Sequence, residues 1–289
     1  MNPIGIYYAF WEDRWQADYT RYIRKAADLG LDVLEIACTP VPDMSENEMI
    51  RLRELAADYG ILLTAGHGPS AAQNVASADP AIQKAAVNWY AELLKRLAFM
   101  GIRTIGGGIY SYWPVDYSRP VDKPGDWARS VAAVRQIGRI ADALGIDYCL
   151  EALNRFEGYL INTAEEAVCF VNEVGQPAVK VMLDTFHMNI EEDALTGAIL
   201  QAGKLLGHFH IGETNRRVPG QGRMPWREIM AALKAVDYRG AVVMEPFVRM
   251  GGQVGNDIRV WRDLSCGATE QALDQDVQDA VRFCRTLLS

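Results

Sequence analysis

The sequence predicts an α/β fold, a (β/α)8 TIM barrel, and three observations carry that expectation. Eight short apolar runs of strand length alternate with amphipathic helical patterns across the 289 residues. The runs are continuously apolar, which is how parallel strands covered by helices read. The length is close to the roughly 250 residues of one such barrel. Barrels also escape the rule of about 150 residues per domain, so one domain over 1–289 is expected. An open doubly wound sheet is the structural alternative.

Strand one is expected at Ile4–Tyr8, with a helix over Asp18–Leu29. Strand two at Asp32–Ile36 leads to a helix over Glu46–Tyr59, and strand three at Ile61–Gly66 to Pro80–Met100, with Pro80 near its start. Strand four at Arg103–Gly107 precedes a helix over Asp126–Leu144, and strand five at Ile146–Glu151 precedes Thr163–Val174. Strands six and seven fall at Val179–Asp184 and Leu206–His210, with no helix assigned between them. A helix over Pro225–Val236, strand eight at Ala241–Glu245 and a helix over Gln271–Leu288 complete the series. Gly30, Gly60, Gly101 and Gly145 each follow a helix, where a left-handed capping residue is wanted. Two connections are long, Tyr110–Pro124 and Pro246–Thr269. Long loops in compact domains are usually functional; subunit contacts and plain insertions are equal alternatives.

The chain is 49% hydrophobic and 23% charged, ordinary for a protein with a real core. Its net charge of −8 argues against a nucleic-acid partner and gives no polybasic anchor for a membrane. No apolar run approaches the roughly 18 residues of a membrane span. The start, Met1-Asn2-Pro3-Ile4-Gly5-Ile6, lacks a basic segment followed by an apolar stretch. The five cysteines, an odd count with no Cys-x-x-Cys, fit a reducing compartment. A cytoplasmic location is therefore expected.

Four residues carry the chemistry. Glu151, Asp184, His210 and Glu245 each end a strand run, spaced by 33, 26 and 35 residues, about one strand-plus-helix unit each. Ligand-type residues at the C-terminal ends of successive strands are how a barrel builds its site. Three carboxylates and one imidazole suit a divalent metal with open positions. One such carboxylate alone would read as a solvated loop residue. Several at the top of a packed core would be costly to bury unpaired, and a metal removes that cost.

The four histidines, His67, His187, His208 and His210, all fall at or just beyond predicted C-terminal strand ends. His208 and His210 are two apart and share one side of their strand. His210 is the stronger ligand candidate, and His208 reads as a hydrogen-bonded inner residue. His67 is either pocket wall or a plain loop histidine. Glu157 and Arg216 lie on loops where they could hold sugar hydroxyls, or form surface ion pairs; the surface reading is preferred for Glu213 and Arg217. Trp15 and Trp113 are sugar-stacking or packing residues. Gly106-Gly107-Gly108 lacks the Gly-Lys-Ser/Thr ending of a phosphate loop, and no Gly-x-Ser-x-Gly elbow is present.

Two glutamates on one metal suit inversion beside a carbonyl. A ketose would chelate the metal through its C2 oxygen and C3 hydroxyl, acidifying the C3 proton. One glutamate would take that proton, and the metal would hold the cis-enediolate. The other glutamate would return a proton to the opposite face. Rival readings are a C1–C2 sugar isomerase, a metal phosphodiesterase, which needs more histidines and a basic surface, and a binding barrel without catalysis.

At these residues the chain resembles the ketose 3-epimerases, the D-tagatose and D-psicose (D-allulose) 3-epimerase family, and most of all its D-psicose branch. The resemblance covers nearly the whole chain. It rests on Gly5-Ile6-Tyr7-Tyr8-Ala9-Phe10-Trp11-Glu12, Tyr110-Ser111-Tyr112-Trp113-Pro114, Leu153-Asn154-Arg155-Phe156-Glu157, Leu183-Asp184-Thr185-Phe186-His187-Met188-Asn189, Gly207-His208-Phe209-His210 and Met244-Glu245-Pro246-Phe247. It implies a xylose-isomerase-like barrel that epimerises free ketohexoses at C3, D-fructose to D-psicose and D-tagatose to D-sorbose. It implies that Glu151, Asp184, His210 and Glu245 hold one Mn²⁺, with Co²⁺ or Mg²⁺ as alternatives, and that Glu151 and Glu245 are the acid/base pair. Glu157, His187 and Arg216 would bind O1 and O2, while Tyr7, Trp15 and Trp113 line the pocket. A homodimer or homotetramer is implied, with helix faces and Pro246–Thr269 as candidate interfaces. The tagatose branch has a cysteine where Gly66 stands; the glycine leaves more room at the far end of the sugar.

Overall fold

A computed structural model describes residues 2–118 and 120–289. Among them, eight parallel strands close into a barrel: β1 (Ile4–Tyr7), β2 (Val33–Ala37), β3 (Leu62–Gly66), β4 (Thr104–Gly107), β5 (Asp147–Glu151), β6 (Val179–Asp184), β7 (Leu206–Ile211) and β8 (Val242–Met244). Each strand pairs with its sequence neighbours, and Ile4 beside Val242 closes the ring. The apolar runs form strands because both faces are covered, one by helices and one by the barrel interior. Every described run lies within two residues of its expected place.

The helices are α1 (Tyr19–Asp28), α2 (Glu46–Asp58), α3 (Pro80–Phe99), α4 (Lys123–Leu144), α5 (Ala164–Val174), α6 (Thr185–Glu191), α7 (Leu195–Ala202), α8 (Trp226–Ala235), α9 (Gly252–Asp257) and α10 (Glu270–Leu288). Gly30, Gly60, Gly101 and Gly145 all take φ between 64° and 78°, the left-handed cap expected of them. Helix α3 buries Tyr90, Leu93, Leu94 and Leu97, a spacing of three and four that points one stripe at the barrel. Truncating one of these leucines to alanine costs about 2–5 kcal/mol. Asp79 starts that helix by accepting from the Ala81 amide, with Pro80 in the first turn.

Four helices differ from expectation. Helix α4 begins at Lys123, three residues early, because Asp122 caps it by accepting from the Gly125 amide. Helices α6 and α7 fill the connection between β6 and β7. Helix α6 starts directly after Asp184, whose side chain accepts from the Phe186 amide at 2.9 Å, so a site residue doubles as the cap. The long connection after β8 contains α9, whose first amides meet the Asp13 carbonyl.

Candidate active site and metal centre

The C-terminal ends of the strands surround a cavity of about 420 Å³. Glu151 ends β5, Asp184 ends β6, His210 lies near the end of β7, and Glu245 directly follows β8. Ligand atoms of Asp184, His210 and Glu245 lie within 4.8 Å of one another, as do those of Glu151, Asp184 and His187. Asp184 belongs to both groups and joins them into one centre. Glu151, Asp184 and His210 are buried and Glu245 is half-buried.

Electrostatics follows from that crowding. Burial, then the nearby Glu245 charge, pushes the Glu151 carboxyl well above the usual carboxylate range. Burial also pushes Glu245 upward, but the His210 and Arg216 charges outweigh it and hold this carboxyl low. Glu151 Oε1 and His210 Nδ1 are buried without any hydrogen-bond partner among the described residues. Both belong to groups that could hold a metal ion. Orphaned donor atoms of a His/Asp/Glu set are what a divalent cation would satisfy, so the residues fit a metal centre.

His187 shares this cavity on α6. The Asn154 amide donates to its Nδ1 at 3.2 Å, which leaves the proton of the neutral ring on Nε2. Burial, reinforced by the Arg216 charge, pulls the His187 pKa down to about 4, so the ring is neutral near pH 7. Its Nε2 lies 3.7 Å from Glu151 Oε1.

Arg216 sits in the left-handed region at φ 65°. Its Nη1 donates to Asp184 Oδ2 at 2.7 Å and to Glu245 Oε2 at 2.8 Å. Its guanidinium lies 3.9 Å from the Phe186 ring centroid and 5.4 Å from that of Phe247. Burial works against the charge, yet Asp184 and Glu245 raise the Arg216 pKa above its ordinary value. Its buried Nε has no partner among the described residues.

The remaining sequence candidates also line the cavity. Tyr7, Trp15, Gly66, Trp113 and Glu157 all face it. Trp15 meets Trp113 edge-on at 6.5 Å and Phe247 at 6.3 Å. The Trp15 indole donates to Asp257 Oδ2 at 2.7 Å, tying the β1 loop to α9. Glu157 accepts from Asn154 Nδ2 at 3.0 Å. A Cβ at Gly66 would stand 3.2 Å from Glu35 Oε1 and 3.3 Å from Tyr7 Cε2, so the glycine marks a close approach. His67 is pocket wall, stacked on Trp89 at 4.9 Å.

One reading is corrected. Glu213 is fully buried, where a surface ion pair was preferred. It accepts from the Gly220 amide at 2.8 Å, the Met224 amide at 3.1 Å and the Trp226 indole at 2.7 Å. Three donors repay the desolvation of this carboxylate. Two residues escaped the sequence reading. Asn154 orients His187, and Glu35 on β2 accepts from both His208 and His210 at 2.7 Å. The signal for Glu35 was its place: an acid in the middle of Asp32-Val33-Leu34-Glu35-Ile36, an otherwise buried strand, needs internal partners.

Comparison with known proteins bears on the fold and the family. Residues 23–266 match the model of the xylose isomerase-like TIM barrel family. The D-psicose 3-epimerase of Ruminiclostridium cellulolyticum is 58% identical, over 98% of this chain and 97% of that protein. The crystal structure of D-psicose 3-epimerase with D-tagatose from Clostridium cellulolyticum H10 superposes with a TM-score of 0.98, at 57% identity and 99% coverage of both chains. A D-psicose 3-epimerase crystallised in the presence of D-fructose gives a TM-score of 0.98, at 52% identity and 99% coverage of both chains. A xylose isomerase-like barrel, a cavity ringed by the expected acids and histidines, and full-length similarity at this level lead to one conclusion: the chain belongs to the ketose 3-epimerase family and is an epimerase of the isomerase class.

Proposed function

We propose that this enzyme interconverts free ketohexoses at C3, D-fructose with D-psicose and D-tagatose with D-sorbose. In this reading Glu151, Asp184, His210 and Glu245 hold one divalent metal, Mn²⁺ first and Co²⁺ or Mg²⁺ as alternatives. The bound metal supplies Lewis acidity to the carbonyl at C2. The observation that carries the proposal is the placement of Glu151 and Glu245. Glu151 ends β5 and Glu245 directly follows β8, the two strands being separated in the ring by β6 and β7, and both residues line the cavity. Carboxylates reaching a bound sugar from different sides are what inversion requires: one removes the C3 proton from one face, and the other delivers a proton to the opposite face.

The other residues position the sugar and bear charge. Neutral His187 offers its Nε2 proton, and Arg216 offers Nε, to O1 and O2, with Glu157 accepting from a hydroxyl. These fixed donors stabilise negative charge as it develops on O2. Tyr7, Trp15 and Trp113 pack on the apolar faces of the ligand, and Gly66 leaves space for its far end. Among the described residues, Arg216 is the only lysine or arginine lining the cavity, and two carboxylates already hold it. That supports an unphosphorylated substrate, because a phosphate would need its own cation.

We further infer one functional barrel domain over 1–289 working as a homodimer or homotetramer in the cytoplasm. Exposed Phe156 and Trp261, on the loops after β5 and β8, support subunit contact at the barrel mouth. Five free cysteines fit a reducing compartment. Among the described residues, no helix is long and apolar enough to cross a membrane.

The direct test is D-fructose incubated with metal-stripped protein plus Mn²⁺, with and without EDTA, followed by chromatography. Formation of D-psicose that EDTA abolishes is the expected result. Glucose or mannose instead would move the chemistry to C1–C2 and overturn the roles given to the glutamates.

A further inference from the structure

Glu35 lies inside the barrel, fully buried, on β2. Its Oε1 accepts from His210 Nε2 at 2.7 Å. Its Oε2 accepts from His208 Nε2 at 2.7 Å and from Thr64 Oγ1 at 2.8 Å. A carboxylate can only accept, so each histidine must place a proton on Nε2. His210 is charged in the metal-free chain, but a ring that ligates a metal is neutral, and this leaves its lone pair on Nδ1, the atom that is buried without a partner and stands 3.6 Å from Glu245 Oε2. The ring is therefore fixed in one tautomer and one orientation from the side away from the carboxylates.

We propose that Glu35 is a positioning residue for the metal: it holds His210 with a bare Nδ1 turned toward Asp184 and Glu245, and so sets the affinity of the centre. The inference rests on the metal reading above. It assigns a role to a residue on the opposite wall of the barrel, which touches neither substrate nor metal. Thr64 and His208 are part of the same device. They saturate the second oxygen of Glu35, so the carboxylate cannot rotate away from His210. An outer carboxylate of this kind raises the basicity of its histidine, and losing it typically weakens metal binding 10–100-fold. Glutamine at this position keeps the shape, but it has one acceptor oxygen and no charge.

The test is calorimetric titration of Mn²⁺ into metal-free wild type and Glu35→Gln, with circular dichroism to show that both are folded. The expected result is binding weakened 10–100-fold in the variant. Equal affinity in a folded variant overturns the proposal. A second measurement needs no variant. With only four histidines, ¹⁵N-labelled wild type loaded with diamagnetic Mg²⁺ resolves each imidazole by NMR. The expected signature for His210 is a proton on Nε2. A proton on Nδ1 overturns the proposal even if Glu35→Gln fails to fold. A wild-type chain that takes up no Mn²⁺ removes the metal reading itself, and this inference with it. That result is distinct from a wild type and a variant that bind alike.

Discussion

Glu151 and Glu245 are isosteric with glutamine, so replacing either one removes a proton carrier and little else in volume. Each variant should lose about 10²–10⁴-fold in kcat, the usual worth of one general acid or base. Steady-state rates on D-fructose check this, and a loss below tenfold in either variant would rule out the two-glutamate scheme. His67 gives a different prediction. It is buried with neither ring nitrogen hydrogen-bonded among the described residues, and burial pulls its pKa from 6.5 down to about 4. The unfolded chain therefore binds this proton more tightly than the folded one. The stabilising effect of its neutrality is complete above about pH 6.5 and fades as pH falls toward 4, by about 3 kcal/mol in all. Urea denaturation of wild type and His67→Phe at pH 7.5 and 4.5 tests it: the variant should lose less stability on acidification. At this scale the sequence was legible wherever a polar residue ended an apolar run, as with Asp184 and His210. It was opaque where a polar residue sat inside the run, as with Glu35, because strand parity alone does not say what lies across the barrel.

Among the elements, the connection from Glu213 to Trp226 bears on function most directly. It carries Arg216 in a left-handed conformation, which costs a non-glycine residue free energy unless its surroundings hold it. Glu213 supplies that hold through the Gly220 and Met224 amides and the Trp226 indole. Glu213→Gln swaps one acceptor oxygen for a donor that faces other donors. Stability should fall by about 1–3 kcal/mol, and KM for the ketose should rise more than kcat falls, since Arg216 loses its seat. Denaturation curves with steady-state kinetics would show both; an unchanged KM would detach Glu213 from the site. Helix α6 explains why its own presence was not read. Its cap and first turn, Asp184-Thr185-Phe186-His187, read in the sequence as strand end and site residues. The motif hid the helix, because seven residues are too few for a clear amphipathic period.

For the whole molecule, metal removal is the widest lever. A cation that binds only the folded chain stabilises it by about 2.7 kcal/mol when present at a hundredfold its dissociation constant. EDTA should therefore lower the melting temperature as well as the activity, and an unchanged melting curve would argue against the centre. The barrel itself was legible because eight runs, four glycine stops and the length agree on one answer. The surface proposed for subunit contact was less so, since exposed Phe156 and Trp261 are single letters in loops until the fold places both loops after C-terminal strand ends.

Ring closure has a consequence for how the protein is made. Ile4 on β1 hydrogen-bonds within a ladder whose other half, around Val242, is translated roughly 240 residues later. At about 5–20 residues per second that interval is on the order of ten to fifty seconds. Throughout it β1 has one edge without its native neighbour, and an unpaired strand edge is a template for another chain. Ribosomes following one another along one message hold several such edges close together. For this enzyme, yield in a fast expression host should depend on what shields β1 before β8 arrives.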